Sequence, residues 1–272
     1  MLIRLDEILQ DAEKKGYAVP AFNTYNMESV MGVINAANRL KSPVILQVYS
    51  RLFGSDNGEY LAEIIKKAAL KANVPVCFHL DHGASMKEVI RAIRYGATGV
   101  MLDVSTLPFE ENVMQTKTVV DYCTYAGIGV EGEIGHIGSV NDAEFSEFTT
   151  ADDARLFAEQ TGVSALAVMV GTAHGRYKQA PKLGIERIAE IKDAAKVPLV
   201  LHGGSGIPDD QIIASIKAGI RKINFGTDLC FAFIEGVKES DESKYALDMF
   251  MKKAIDKVDE FATSKIKLLG AE

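Results

Sequence analysis

Apolar residues along this chain fall into two alternating patterns. Short, β-branched runs of four to six residues occupy positions 17–22, 44–48, 74–79, 99–103, 129–134, 165–170, 199–202 and 222–225. Between them lie longer stretches with apolar residues at i, i+3 and i+4, such as MESVMGVINAANRL after the first run and MKEVIRAIRYG after the third, and this spacing predicts helices. Several runs open behind a proline or glycine turn, as in SPV, NVPV, GATGV and KVPLV, where a helix stops and a strand begins. Eight strand–helix repeats imply parallel strands, because each connection is long enough for a crossover helix and too long for a hairpin. Near-continuous apolar character fits strands covered on both faces. Closing eight such units gives an α/β fold, a (β/α)8 TIM barrel in one domain spanning 1–272, with an extra N-terminal helix near residues 5–15 and a long C-terminal helix near 243–264. An open doubly wound sheet would want GxGxxG after its first strand, and NTYNME stands there instead.

Composition narrows the class of partner. With 272 residues, 47% hydrophobic and 25% charged, the chain can bury a large core. Its net charge of -7 disfavours nucleic acid or an anionic membrane, which demand clustered Lys and Arg. A small solute is the expected partner. Cys77, Cys123 and Cys230 lack CxxC spacing, so neither a disulfide framework nor a cysteine zinc site is indicated. The N-terminal MLIRLDEILQDAEKKG interleaves charge with apolar residues, unlike a signal peptide, and no 18-residue apolar stretch occurs. The expected location is the cytoplasm.

In such a barrel the catalytic face is where the strands end. That rule gathers His79, Asp81 and His82 from the third run, Asp103 and Ser105 from the fourth, and Glu131 and Glu133 from the fifth. Thr172 and His174, His202, and Asn224, Thr227 and Asp228 join them from the last three runs. HLDHG (79–83), GTAHG (171–175) and LHGGSG (201–206) each close an apolar run with a His-Gly pair. One strand-end histidine is more often a hydrogen-bonded rim residue than a ligand, but three from equivalent places suit zinc, which takes nitrogen donors tetrahedrally. Spacing does not decide between His79 and His82. His136, in GHIG, stands outside the set as a loop residue. GGSG and NFGTD supply backbone N–H groups and the hydroxyls of Ser205 and Thr227 in the two loops that often hold phosphate in these barrels. A metal beside a phosphate cradle points to a phosphorylated sugar.

NTYN after AVPAF, HLDHG, VMLDVS followed by LPFEEN, VEGEIG, TGVSALAVMVGTAHGRY, PLVLHGGSGIP and KINFGTD together resemble the class II, zinc-dependent ketose-bisphosphate aldolases, the family of fructose- and tagatose-bisphosphate aldolases. The likeness runs from about Gly16 to Asp228. It implies that His82, His174 and His202 hold Zn2+, with Asp103 and Glu133 able to hold it in an alternative site, and that Asp81 is the catalytic acid/base. His79 then becomes a residue that supports the ligands from behind or a structural one. Gly175, Gly203, Gly204, Ser205, Asn224, Phe225, Gly226 and Thr227 fall where the family binds the dihydroxyacetone phosphate half and a monovalent cation, Na+ or K+. Asn23, Tyr49, Ser50 and Arg51 become candidate substrate contacts. The resemblance also implies a homodimer or homotetramer.

Two departures from that pattern stand out. The family's loop after the fifth strand carries a glutamate, in a GGxED-like segment, that protonates carbon; here the segment reads GSVND (138–142), with Asn141 in its place. Asparagine carries no proton at neutral pH, so Asp142, Glu144 or another loop acid substitutes, or that step is slow, or the substrate differs. Tyr49, in QVYSRLF, stands where a serine or threonine is common, so it and Arg51 can reshape the aldehyde end. A Schiff-base mechanism would need a lysine at a strand end; Lys222 opens the eighth run, at the opposite face. The remaining alternatives are a metal-dependent sugar-phosphate epimerase or isomerase on the same barrel and a non-catalytic aldolase-like subunit.

Overall fold

Each apolar run forms a strand: β1 Val19–Asn23, β2 Val44–Tyr49, β3 Val76–Gly83, β4 Gly99–Leu102, β5 Gly129–Ile134, β6 Ala165–Val168, β7 Leu199–Leu201 and β8 Ile220–Phe225. In the computed structural model, which describes residues 1–140, 148–177, 179–243 and 245–272, these strands close in chain order into one barrel. All neighbours are parallel, and β8 returns to β1 through Val19–Lys222 to Phe22–Phe225. A helix follows every strand. Met27–Leu40 illustrates how one starts: Asn26 is extended and its side chain accepts from the Ser29 N–H at 3.0 Å, satisfying a donor that the first helical turn leaves free.

The ends of the chain close the barrel differently. Helix Leu5–Lys15 lies across the openings of the strands, burying Leu5, Ile8, Leu9 and Ala12, and the Leu5 N–H bonds the Thr98 carbonyl at 3.2 Å. Glycine at position 99 permits this approach, since a Cβ there would stand 2.8 Å from the Leu5 Cβ. At the C-terminus a short helix, Leu247–Phe250, precedes Lys252–Leu268, so the long helix begins later and ends later than residues 243–264. Its limits follow the buried i, i+4 stripe of Ala254, Val258 and Ala262 continued by Ile266. Phe261 also reaches the rings of Phe22 and Phe225, both with centroids 6.1 Å away, which ties the helix to the β1–β8 seam.

Inward-facing residues alternate along each strand and stack in two polar levels. His79 and Asp81 on β3, Glu131 and Glu133 on β5, and Lys222 and Asn224 on β8 are each two residues apart. The deeper level brings His79 Nε2 and Lys222 Nζ to within 3.6 Å and 2.8 Å of Glu131 Oε2. The upper level contains Asp81, which accepts from Asn224 Nδ2 at 3.1 Å. Two sequence expectations change here. Glu131 lies one level beneath the strand ends. Lys222 does not open its strand at the far face; β8 starts at Ile220, and the lysine is fully buried in the barrel interior.

Candidate active site

The upper level opens into a cavity of ≈ 430 Å³ at the C-terminal ends of the strands, within the size range of small-molecule sites. Asp81 and His82 both line it, although adjacent strand residues ordinarily face opposite sides. A bulge explains this. β3 advances three residues from Leu80 to Gly83 while β4 advances two from Val100 to Leu102, and His82 sits at φ 51° in the left-handed region. Holding a non-glycine residue there costs about 1–2 kcal/mol, and the bulge re-aims the side chain toward the mouth. The ring of His82 thereby meets His174 and His202, with centroids 4.8 and 4.7 Å away, while those two rings stand 5.7 Å apart.

The three imidazoles offer ligand atoms that all lie within 4.8 Å of one another, and so do His82, Asp103 and Glu133. His174 Nε2 is buried without a hydrogen-bond partner, a costly arrangement for a polar atom unless a ligand satisfies it. Three nitrogen donors with carboxylates alongside suit a borderline-soft divalent ion such as zinc. Backbone hydrogen bonds hold the segments that carry these imidazoles. His174 donates to the Gly138 carbonyl at 2.8 Å and accepts from the Val140 N–H at 2.9 Å. The Tyr177 hydroxyl accepts from the Ala173 N–H at 2.7 Å and lies 3.1 Å from the Gly203 carbonyl.

Charge in the site is polarised by burial and by neighbours. Burial and the adjacent His82 and His202 hold His174 down to about 3, so it is unprotonated at neutral pH. His202 is also pushed down by burial, but the hydrogen bond to Glu131 and the close Glu133 carboxylate outweigh that and raise it to about 10. For Asp81, burial acts upward; the charges of His82, His202 and Lys222 and the Asn23 hydrogen bond prevail and bring it below the ordinary carboxylate value. Asn23 Nδ2 donates to its Oδ2 at 2.6 Å, and Gln47 Nε2 in turn donates to Asn23 Oδ1 at 2.9 Å. Asp103 accepts from Ser105 Oγ at 2.8 Å and stands 2.7 Å from His82 Nδ1.

Residues 3–272 match the profile of the family described as "Fructose-bisphosphate aldolase class-II". The chain belongs to the class II fructose-bisphosphate aldolase family. It is 42% identical over 269 residues to "Uncharacterized protein YdjI" of Escherichia coli (strain K12), covering 96% of this chain and 95% of that protein. The crystal structure of the YdjI aldolase from Escherichia coli K12 superposes with a TM-score of 0.91 at 39% identity, covering 100% and 98% of the two chains. A putative fructose-1,6-biphosphate aldolase from Coccidioides immitis gives 0.90 at 25% identity, covering 98% and 96%. The protein is therefore a class II aldolase, a carbon–carbon lyase, and membership implies a divalent metal and a sugar-phosphate substrate. Among the described residues no helix is long and apolar enough to cross a membrane.

As an aldolase site, the cavity brings most of the expected residues together. Asn23, Tyr49, Arg51, Asp103 and Asn224 line it alongside Asp81 and His82. His174, Gly175, Gly203, Ser205, Gly226 and Thr227 line it too. His202 and Glu133 lie behind that surface, buried. Gly203 has φ 64°, and a Cβ on it would stand 2.3 Å from the Ala173 carbonyl oxygen, so only glycine fits. Gly204 packs against Ile223 and the Asn224 carbonyl, and Phe225 faces the hydrophobic seam with Phe22 at 5.9 Å. Ser50 opens the short helix Ser50–Phe53 and is not among the lining residues. Asn141, Asp142 and Glu144 lie outside the described residues. His136 is a loop residue, as expected, yet it lines the cavity with its Nδ1 3.1 Å from Ser105 Oγ. Tyr25 lines it as well; the NTYN motif held it, but nothing in that string distinguishes it from a helix-capping segment.

Proposed function

We propose that this aldolase reversibly cleaves a ketose phosphate to dihydroxyacetone phosphate and an aldehyde, glyceraldehyde 3-phosphate or a relative of it. His82, His174 and His202 would hold zinc, with Asp81 as the acid/base. The observation that carries this reading is the Asp81 carboxylate, fixed by two amides, beside three mutually contacting imidazoles in a cavity that glycine-rich loops also line. Zinc, when bound, supplies a Lewis acid that polarises the ketose carbonyl beside the bond that breaks.

Asp81 does the proton work. Its carboxylate is in the basic form at neutral pH, and Asn23 and Asn224 leave it little freedom to turn. It takes the proton of the hydroxyl on the far carbon as the carbon–carbon bond opens and an aldehyde forms, and it returns that proton in condensation. The carbon left on the other side needs a proton of its own, for which Asp142 is our candidate. The phosphate is assigned to the loops after β7 and β8, where helix Thr227–Lys238 presents its N-terminus, the end that favours an anion. Ser205 belongs to that cradle, its Oγ accepting from the Asp228 N–H at 3.1 Å.

The aldehyde half is assigned to the β2 side. Tyr49 is in register with Asp81, so the residues after β2 face whatever extends beyond the cleaved bond. Arg51 lies with its guanidinium 5.8 Å from the Tyr49 ring centroid, and Tyr49 and Arg51 both border the cavity. Zinc-loaded protein incubated with dihydroxyacetone phosphate and a panel of aldehydes should form ketose fastest with an anionic aldehyde. Arg51→Leu should slow that reaction about 10–100-fold, the worth of a charge-assisted hydrogen bond, and leave glycolaldehyde within about twofold. Condensation with no aldehyde in the panel would reject the proposed reaction; equal loss for charged and neutral aldehydes would reject the role of Arg51.

A further inference from the structure

The deeper polar level lacks a role in the reaction as described so far. Barrel interiors are ordinarily filled by branched aliphatic residues, yet here Glu131, Lys222 and His79 are all fully buried. Burying a carboxylate and an ammonium together brings no stability that well-packed apolar residues of the same volume would not match. The position of Glu131 under the mouth suggests what the pair is for.

His202 stands between two carboxylates of the same strand. Its Nε2 lies 2.8 Å from Glu131 Oε1, and its Nδ1 lies 3.1 Å from Glu133 Oε2. Glu133 belongs to the mouth, where its carboxylate shares a ligand group with His82 and Asp103. Glu131 belongs to the level beneath. The two ring nitrogens therefore face different surroundings: Nδ1 the ligand cluster, Nε2 the interior. An imidazole that binds a metal keeps a proton on one nitrogen and gives the lone pair of the other, and the partner of the protonated nitrogen determines which is which.

We infer that Glu131, held by Lys222, is the positioning residue for His202: it accepts the Nε2 proton, locks the ring, and leaves the Nδ1 lone pair for the metal. This deepens the proposed zinc reading and rests on it. The second carboxylate oxygen of Glu131 is 2.8 Å from Lys222 Nζ, which supplies the counter-charge that a buried carboxylate requires. His79 fills the space beside them, 3.6 Å from the same oxygen. Its ring fits because position 99 is glycine; a Cβ there would stand 2.8 Å from His79 Cδ2. The lysine of this barrel thus acts through a histidine, one level below the substrate.

Two measurements test the assignment. In zinc-loaded wild-type protein, side-chain nitrogen NMR of the five histidines, with His202 identified by the signal lost in His202→Gln, should show a protonated Nε2 and a metal-bound Nδ1. The reverse arrangement overturns the inference without any change to the interior. In the second, Glu131→Leu combined with Lys222→Met removes both charges and the acceptor together, so no lone charge stays buried. Competition against a chelating indicator should show zinc bound about 10–100-fold more weakly, with cooperative thermal unfolding retained. A folded double variant that binds zinc within about twofold of wild type rejects the role of Glu131. His174→Ala separates that failure from failure of the metal reading: zinc lost there but kept in the double variant rejects Glu131 alone, whereas zinc kept in both rejects the metal site and Glu131 with it.

Discussion

Asp81→Ala is expected to keep its zinc and lose cleavage by about 10²–10⁴-fold, the usual worth of a positioned acid/base. The carboxylate accepts from Asn23 at 2.6 Å and from Asn224 at 3.1 Å, and it lies 4.0 Å from His82 Nε2. It is next to the proposed metal ligands without being one of them. Truncation therefore removes the group that exchanges the substrate's hydroxyl proton and leaves the imidazoles in place. Metal content by atomic absorption and the rate of ketose cleavage, measured on one preparation, check the two halves of this statement. A variant that cleaves at the wild-type rate would remove Asp81 from the mechanism. One that arrives without zinc would make it a ligand.

Chelation is expected to abolish activity altogether, and added zinc or cobalt to restore it. His82→Gln should resist that rescue, since one of three ligands is gone, while His79→Gln should still take up zinc. The magnitude follows from apparent zinc-binding free energies of about 10–16 kcal/mol spread over a ligand set: losing one ligand costs several kcal/mol, or at least ~100-fold in affinity. Borohydride with substrate should leave the enzyme unharmed, because Lys222 is sealed in the interior against Glu131 and cannot reach a ketone in the cavity. Inactivation by borohydride would revive the lysine chemistry; zinc uptake lost in His79→Gln and kept in His82→Gln would exchange the two histidines.

The barrel was legible because parallel strands buried on both faces must be written as apolar runs, and crossover helices must carry a stripe to lie on them. Depth was not legible. Period-2 alternation says that Glu131 and Glu133 share a face, but which of them reaches the mouth depends on the stagger of strands around the barrel. The start of β8 was hidden for a related reason. Arg221 interrupts the apolar run, and only the folded chain shows it satisfied by the Ile216 and Ile220 carbonyls at 2.9 and 2.8 Å, which makes room for Ile220 to begin the strand. That His82 and not His79 is among the cavity residues turned on a bulge and a left-handed residue, neither of which leaves a mark in residue type at that position. Cavity residues from loops, such as His136 and Tyr25, follow no period at all.

The convergence of three imidazoles on one metal ion is the premise of everything above, and anomalous diffraction at the zinc edge from crystals of the zinc-loaded protein tests it most directly. The account predicts a single strong peak about 2.0–2.1 Å from one ring nitrogen each of His82, His174 and His202, at the C-terminal mouth of the barrel. A peak bound elsewhere on the chain, or none between those rings in crystals that contain stoichiometric zinc, would contradict it.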